Sequence, residues 1–191
     1  MKQTKNHHLP NGYETKDEYS INGSQISKYL FVILFFGLIP FVSIFFLLSL
    51  HPYMKIFTII ADLTNDWPGM SSAHNPLMSK IMDVYLKFYP IFTLISIILT
   101  FKYTTPKHNP HIFKSVLASL FIIALITLTT YYQSYLNHEL TEEFLFKRLI
   151  SHSDFFMMLY FMLSFSGLFL VGSLSIIGLI GTLRGVLKGR G

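Results

Sequence analysis

YLFVILFFGLIPFVSIFFLLSL, residues Tyr29 to Leu50, runs for 22 residues without a charged side chain. Crossing the roughly 30 Å hydrocarbon layer of a bilayer takes about 20 apolar residues in a helix, because every backbone N–H and C=O must find its partner inside the segment. The stretch therefore reads as a membrane-spanning helix. Two others meet the same requirement: Ser115 to Leu136 with 22 residues and Phe155 to Leu183 with 29. The last is longer than a bilayer needs and is expected to tilt or to project beyond the hydrocarbon at one end.

A fourth candidate is incomplete. Phe88 to Phe101 has 14 uncharged residues, which would reach only about 21 Å as a helix. Extending it back to Ile81 gives a span over 81–101 but draws in Asp83 and Lys87, one helical turn apart on one face, where they can neutralise each other. Lys87 can also snorkel outward along its aliphatic stem. Upstream, Asn75 followed by Pro76 is a helix start, with Asn as cap and Pro in the first turn. Pro40 and Pro90 are expected to bend the first and second spans.

The whole composition agrees with these runs. Of 191 residues, 51% are hydrophobic and 13% charged, and the mean hydropathy is +0.47. That is outside the balance of soluble domains and excludes disorder. With 19 Phe and 11 Tyr, there is more aromatic surface than one small soluble core could hide. Cysteine is absent, so disulfides, thiolate metal sites and a cysteine nucleophile are excluded. The net charge of +5 sits between the apolar runs, which points to membrane placement rather than to nucleic acid.

The expected fold is thus an all-α integral membrane protein of four transmembrane helices, spans 29–50, 81–101, 115–136 and 155–183. Lysines and arginines on alternate sides set its orientation. Lys2, Lys5, Lys16, Lys28, Lys102, Lys107, Lys114, Arg184, Lys188 and Arg190 lie on one side; Lys55, Lys80, Lys87, Lys147 and Arg148 lie on the other. The positive-inside rule then puts both termini in the cytoplasm, with the 1–28 tail, the 102–114 loop and the basic 184–191 tail, and loops 51–80 and 137–154 outside. Tyr29, Tyr103, Tyr131, Tyr132 and Tyr135 stand at the expected interfaces. The first apolar run is too long for a signal-peptide core and has no small-residue cleavage site, so it reads as an uncleaved anchor.

Chemistry inside a bilayer needs an ionisable group held in the bundle. Spans one, three and four contain no Asp, Glu, Lys, Arg or His. Ser164, Ser166, Thr127 and Thr130 have no histidine or carboxylate at membrane depth to activate them. No catalytic, cofactor or metal residue is expected; His108 and His111 are separated by Pro110, which spoils a helical metal site. In the 137–154 loop, Glu139, Glu142 and Glu143 are expected on one helix face beside His138, forming a wetted acidic surface. The fourth span carries small residues at three- and four-residue steps, Ser164, Gly167, Gly172, Ser175, Gly178, Gly181 and Gly185. Such a seam permits close helix packing, either within the bundle or against a foreign helix.

NPLMSKIMDVYLKFYP, Asn75 to Pro90, places Lys80, Asp83 and Lys87 on one stripe with Leu77, Met78, Ile81, Met82 and Tyr85 elsewhere around the helix. This is an amphipathic helix feeding a span, readable as an interfacial anchor or as a recognition surface. Here the chain closely resembles the immunity proteins that protect bacteria from pore-forming colicins of the A type. The shared pattern is Asn75, Pro76, Leu77 and Met78, then Lys80, Met82, Asp83 and Tyr85. Gly37 to Pro40 and ILTFK, Ile98 to Lys102, are similar as well, so the likeness covers about residues 29 to 102.

The resemblance implies four inner-membrane helices with cytoplasmic termini, no cofactor and no catalysis. It also implies a partner, the pore-forming domain of the toxin, met in the lipid bilayer after insertion and before conduction. Asn75, Pro76, Lys80, Asp83, Tyr85 and Lys87 become toxin-recognition candidates on this reading; Gly167, Gly172, Ser175, Gly178 and Gly181 are helix-packing candidates. The competing readings are a small four-helix transporter or channel subunit, and a purely structural subunit of a membrane complex.

Overall fold

A computed structural model describes residues 16–105, 112–135, 138–140 and 152–188. The elements are α1 (Lys16–Leu50), α2 (Lys55–Leu63), β1 (Met70–Ser71), α3 (Pro76–Leu86), α4 (Tyr89–Thr100) with a 3-10 turn over Phe101–Tyr103, α5 (Ile112–Tyr135), β2 (His138–Glu139) and α6 (Asp154–Lys188). Among the described residues the architecture is helical apart from one parallel pairing of β1 with β2, Met70 beside His138 and Ser71 beside Glu139. Three helical stretches among the described residues are long and apolar enough to cross a membrane: Asn22–Leu50, Pro76–Tyr103 and Asp154–Leu187. In α5 the apolar part, Val116–Tyr132, is shorter, although the whole helix has 24 residues.

Several expected boundaries shift. Helix α1 begins at Lys16 inside the stretch read as a tail, because residues 16–28 contain no proline or other strong breaker and Gly23 alone is a weak one. The second stretch is two helices rather than one: α3 ends at Leu86, a turn covers Lys87 and Phe88, and Pro90 lies in the first turn of α4. Pro90 starts a helix instead of bending one, since its missing N–H costs nothing in a first turn. Residues 51–80, read as a loop, contain α2 and the start of α3. His138 and Glu139 are strand, not helix, because they pair across the chain with β1. Glu142, Glu143, His108 and His111 lie outside the described residues, as do 106–111 of the 102–114 segment and most of the 137–154 segment.

Helix α6 is the axis of the bundle and packs against α1, α3, α4 and α5. Its contact with α1, α3 and α4 is aromatic. Phe41 meets the Tyr85 ring edge-on at 4.8 Å, Tyr85 stacks on Phe165 at 5.9 Å and 14°, and Phe92 meets Phe165 edge-on at 5.4 Å. Gly37 makes room for this cluster: a Cβ there would stand 2.8 Å from Cε1 of Phe165. The Tyr85 hydroxyl donates to the Gly37 carbonyl at 3.0 Å, one residue along from the Phe36 carbonyl that Pro40 leaves without its helical donor.

Further along the bundle the α4–α6 seam is hydroxylic. Thr93, Ser96, Thr100 and Thr104 are all buried at steps of three and four. Ser96 Oγ bonds Ser173 Oγ at 2.9 Å, while Thr93 packs over Gly172. Hydroxyls and small residues are the groups that hold helices together where lipid removes the hydrophobic drive. Arg184 closes that end by donating to the carbonyls of Phe101 at 2.9 Å and Thr104 at 2.6 Å, with its guanidinium 3.9 Å over the Phe101 ring.

Candidate functional site

The end of the bundle where α1 finishes and α3 begins carries a cap built by residues 64–75. Asn75 starts α3, its Oδ1 accepting from the Met78 N–H at 3.2 Å, with Pro76 in the first turn. The amide of Asn75 also donates to Asp154 Oδ2 at 3.1 Å, tying the starts of α3 and α6 together. The rings of His74 and His152 meet beside this tie at 6.3 Å. Ser79 Oγ accepts from the Ser72 N–H at 3.0 Å, and Leu140 N–H donates to the Ser71 carbonyl at 2.9 Å. Met70, fully buried, receives the Tyr160 hydroxyl on its sulfur at 3.4 Å.

Under this cap lies the charged stripe of α3. Lys87 Nζ is 2.6 Å from Asp83 Oδ2 and donates to the Pro68 carbonyl at 2.5 Å. Asp83 is wholly buried, whereas the Lys87 side chain keeps 17% of its surface exposed. Asp83 Oδ1 has no hydrogen-bond partner among the described residues. Gly69 lies directly on the pair, so close that a Cβ would collide with Asp83 Oδ2 and come within 2.8 Å of Lys87 Nζ. Lys80, one turn back, donates to the Trp67 carbonyl at 2.7 Å. The carbonyls of Trp67 and Pro68 are thus held by the two lysines, and Gly69 lies against the aspartate between them.

The six recognition candidates divide by this geometry. Lys80 stands at the rim of a cleft of about 420 Å³ shared with Thr58, Asp62, Asn65 and Trp67. Pro76 lines the same cleft, whereas Asn75, Asp83, Tyr85 and Lys87 bond to other parts of the chain: the start of α6, the cap and the α1 backbone.

The small-residue seam of α6 also divides. Gly172 is buried against Thr93 of α4. Gly178 and Gly181 line a shallow recess with Gly23, Ile26 and Tyr103. Ser175 turns its hydroxyl back to the Val171 carbonyl at 2.7 Å. Gly167 meets nothing within 4 Å and floors an open groove of about 400 Å³ between α5 and α6, lined by Ile122, Leu125, Thr129, Leu163, Ser164 and Val171. Sequence reasoning missed the hydroxyl stripe of α4 and the cap segment from Trp67 to Gly69. The first is visible as threonines and serines at helical spacing; the second has no local signal.

Long apolar helices packed on one another, with the one described ion pair roofed at a bundle end, define a helical membrane protein. A family profile described as "Colicin immunity protein" matches residues 53–190, and the chain belongs to that family. It is 35% identical over 144 residues to the colicin-A immunity protein of Citrobacter freundii, covering 74% of this chain and 78% of that one. It is 28% identical over 132 residues to the colicin-B immunity protein of Escherichia coli, 66% and 73% of the two chains. The match includes α5 and α6, beyond the stretch to about residue 102 where the likeness is strongest in the sequence. No solved structure matches. The family's role is immunity to a colicin rather than catalysis.

Proposed function

We propose that the chain is a four-span protein of the bacterial inner membrane that protects its cell from a pore-forming colicin of the A type. It packs laterally against the toxin's membrane-inserted pore-forming domain and holds that domain in a closed arrangement. The fourth span is α5. Its one charged residue, Lys114, is in the first turn, and 24 helical residues extend about 36 Å. Both termini, the 102–114 loop and the 184–191 tail are cytoplasmic on this reading, and the capped end with segments 51–80 and 137–154 is periplasmic.

The observation that carries the docking reading is the groove between α5 and α6. It is open to the side, apolar, and floored by a glycine with no neighbour, which is the shape that accepts a close-packed foreign helix. Confinement of both partners to one thin layer raises their effective concentration, so modest contacts suffice. Lys80 offers a polar contact at the rim of the cap, and Asp83, Lys87, Asn75 and Tyr85 act by holding that rim in place.

The chain has no cysteine, so single cysteines at Ser164 or Leu125 can be tested for disulfide formation with single cysteines in the toxin's apolar hairpin, in membranes of intact cells. Cross-links from these positions and none from Phe31 or Phe35 on α1 are expected. Cross-links from α1 and none from the groove would refute lateral docking there.

A further inference from the structure

Helix α2 stands outside the bundle core and has three distinct sides. Phe57 is buried, and Ile60 and Ala61 pack with it on the core beside α3. Lys55, Thr58 and Asp62 form a polar side, the last two lining the cleft with Asn65 and Lys80. The remaining side is apolar and open: Ile56 is 59% exposed, Ile59 56% and Leu63 78%. These three fall at i, i+3 and i+7, a single helical stripe. Tyr53 before the helix and Trp67 after it are exposed as well.

We infer that α2 is an interfacial helix, with Ile56, Ile59 and Leu63 set into the boundary between headgroups and acyl chains at the capped end of the bundle. Its position argues for lipid as the occupant. Leu50 ends an apolar stretch able to cross a membrane, and only four residues separate it from Lys55, so α2 starts at the level where α1 leaves the hydrocarbon. It packs on α3, the first part of the next such stretch. The open stripe therefore continues the apolar surface of α1, where Phe46, Leu47 and Leu50 are exposed. Tyr53 and Trp67 flank it with amphipathic rings of the kind that settle at headgroup level.

Interfacial helices sink such a face about 5–10 Å into the boundary. Here the nearby charges, Lys55 and Lys80 against Asp62 and Asp66, balance, so net attraction to anionic headgroups contributes little and the acyl boundary is the ligand. The device anchors one side of the cap while Lys80 and Lys87 anchor the other.

The inference rests on the bundle being embedded in a membrane, not on which colicin is met. It is tested with single cysteines at Ile59, Leu63, Asp62 and, as a control, Phe35, each labelled with bimane in the full chain reconstituted into vesicles. Quenchers are iodide in the water and lipids spin-labelled near the headgroup end or near the methyl end of the acyl chain. Positions 59 and 63 should be quenched severalfold more by the shallow spin label than by iodide, and position 62 the reverse, equally in neutral and anionic vesicles. Iodide quenching 59, 63 and 62 alike would overturn the inference, and so would protection of 59 and 63 from every quencher, which would mean that protein covers them. Failure of the lipid labels to reach Phe35 would instead refute membrane embedding itself. Helicity measured on each labelled variant separates a misfolded sample from a repositioned helix.

Discussion

Lys87→Met and Asp83→Asn disturb the same ion pair, and the structure predicts unequal costs. Asp83 is fully buried and Lys87 retains 17% exposure. Replacing Lys87 leaves a carboxylate with no ammonium beside it and no route to water, the situation that costs about 3 to 5 kcal/mol for a broken buried pair. Asp83→Asn keeps an acceptor for the lysine, which still has the Pro68 carbonyl and a partly wetted stem. The loss is then that of one charge-assisted hydrogen bond, about 1 to 3 kcal/mol. The double variant should fall short of the sum by about 1 to 3 kcal/mol, since the two residues touch. Titration of the detergent-solubilised protein with a denaturing detergent, followed by circular dichroism, gives the ordering of midpoints. Trp67, the chain's one tryptophan, reports the cap in the same experiment. An Asp83→Asn midpoint as low as that of Lys87→Met, or strict additivity in the double variant, would refute the geometry described for the pair.

Tyr85→Phe removes the bond to the Gly37 carbonyl and keeps the aromatic stacking, so unfolding should become easier by about 0.5–1.5 kcal/mol, against about 3 to 5 kcal/mol for Tyr85→Ala; the same titration reads both. Ser96→Ala and Ser173→Ala should show a coupling of about 0.6 kcal/mol, the mean for hydrogen bonds between membrane helices, in a double-mutant cycle. Arg184→Ala should lower the thermal midpoint in detergent more than Arg184→Lys, because lysine keeps the charge and a donor for the carbonyls but not the planar guanidinium stacked on Phe101; equal losses would show that the charge and its donor are idle.

The apolar stretches, the Asn75–Pro76 helix start and the spacing of Asp83 and Lys87 are legible in the sequence because each is local. A helix places residues four apart together whatever surrounds them. What covers that face is not local. Gly69 reaches the pair only because residues 64–75 fold back over α3 and Met70 pairs with His138, a contact across the chain with no periodic signature. Tyr85 reads in the sequence as a recognition candidate, yet its ring lies in the Phe41–Phe165 cluster. The division of the α6 glycines into Gly172, packed on Thr93, and Gly167 and Gly178, each with open space beside it, follows from where α4 and α5 cross, and small-residue spacing alone does not carry that. The stripe of Thr93, Ser96, Thr100 and Thr104 was readable, but hydroxyls at membrane depth invite a search for nucleophiles when their work here is adhesion.

The most direct test of the account is survival and potassium retention of sensitive bacteria expressing this chain, challenged in parallel with several A-type pore-forming colicins, a pore former of the other branch and a nuclease colicin. Retention of potassium and survival against one or two A-type toxins, with no protection from the other classes, is the predicted result. Leakage and death under every A-type toxin, with the protein present in the inner membrane, would contradict it.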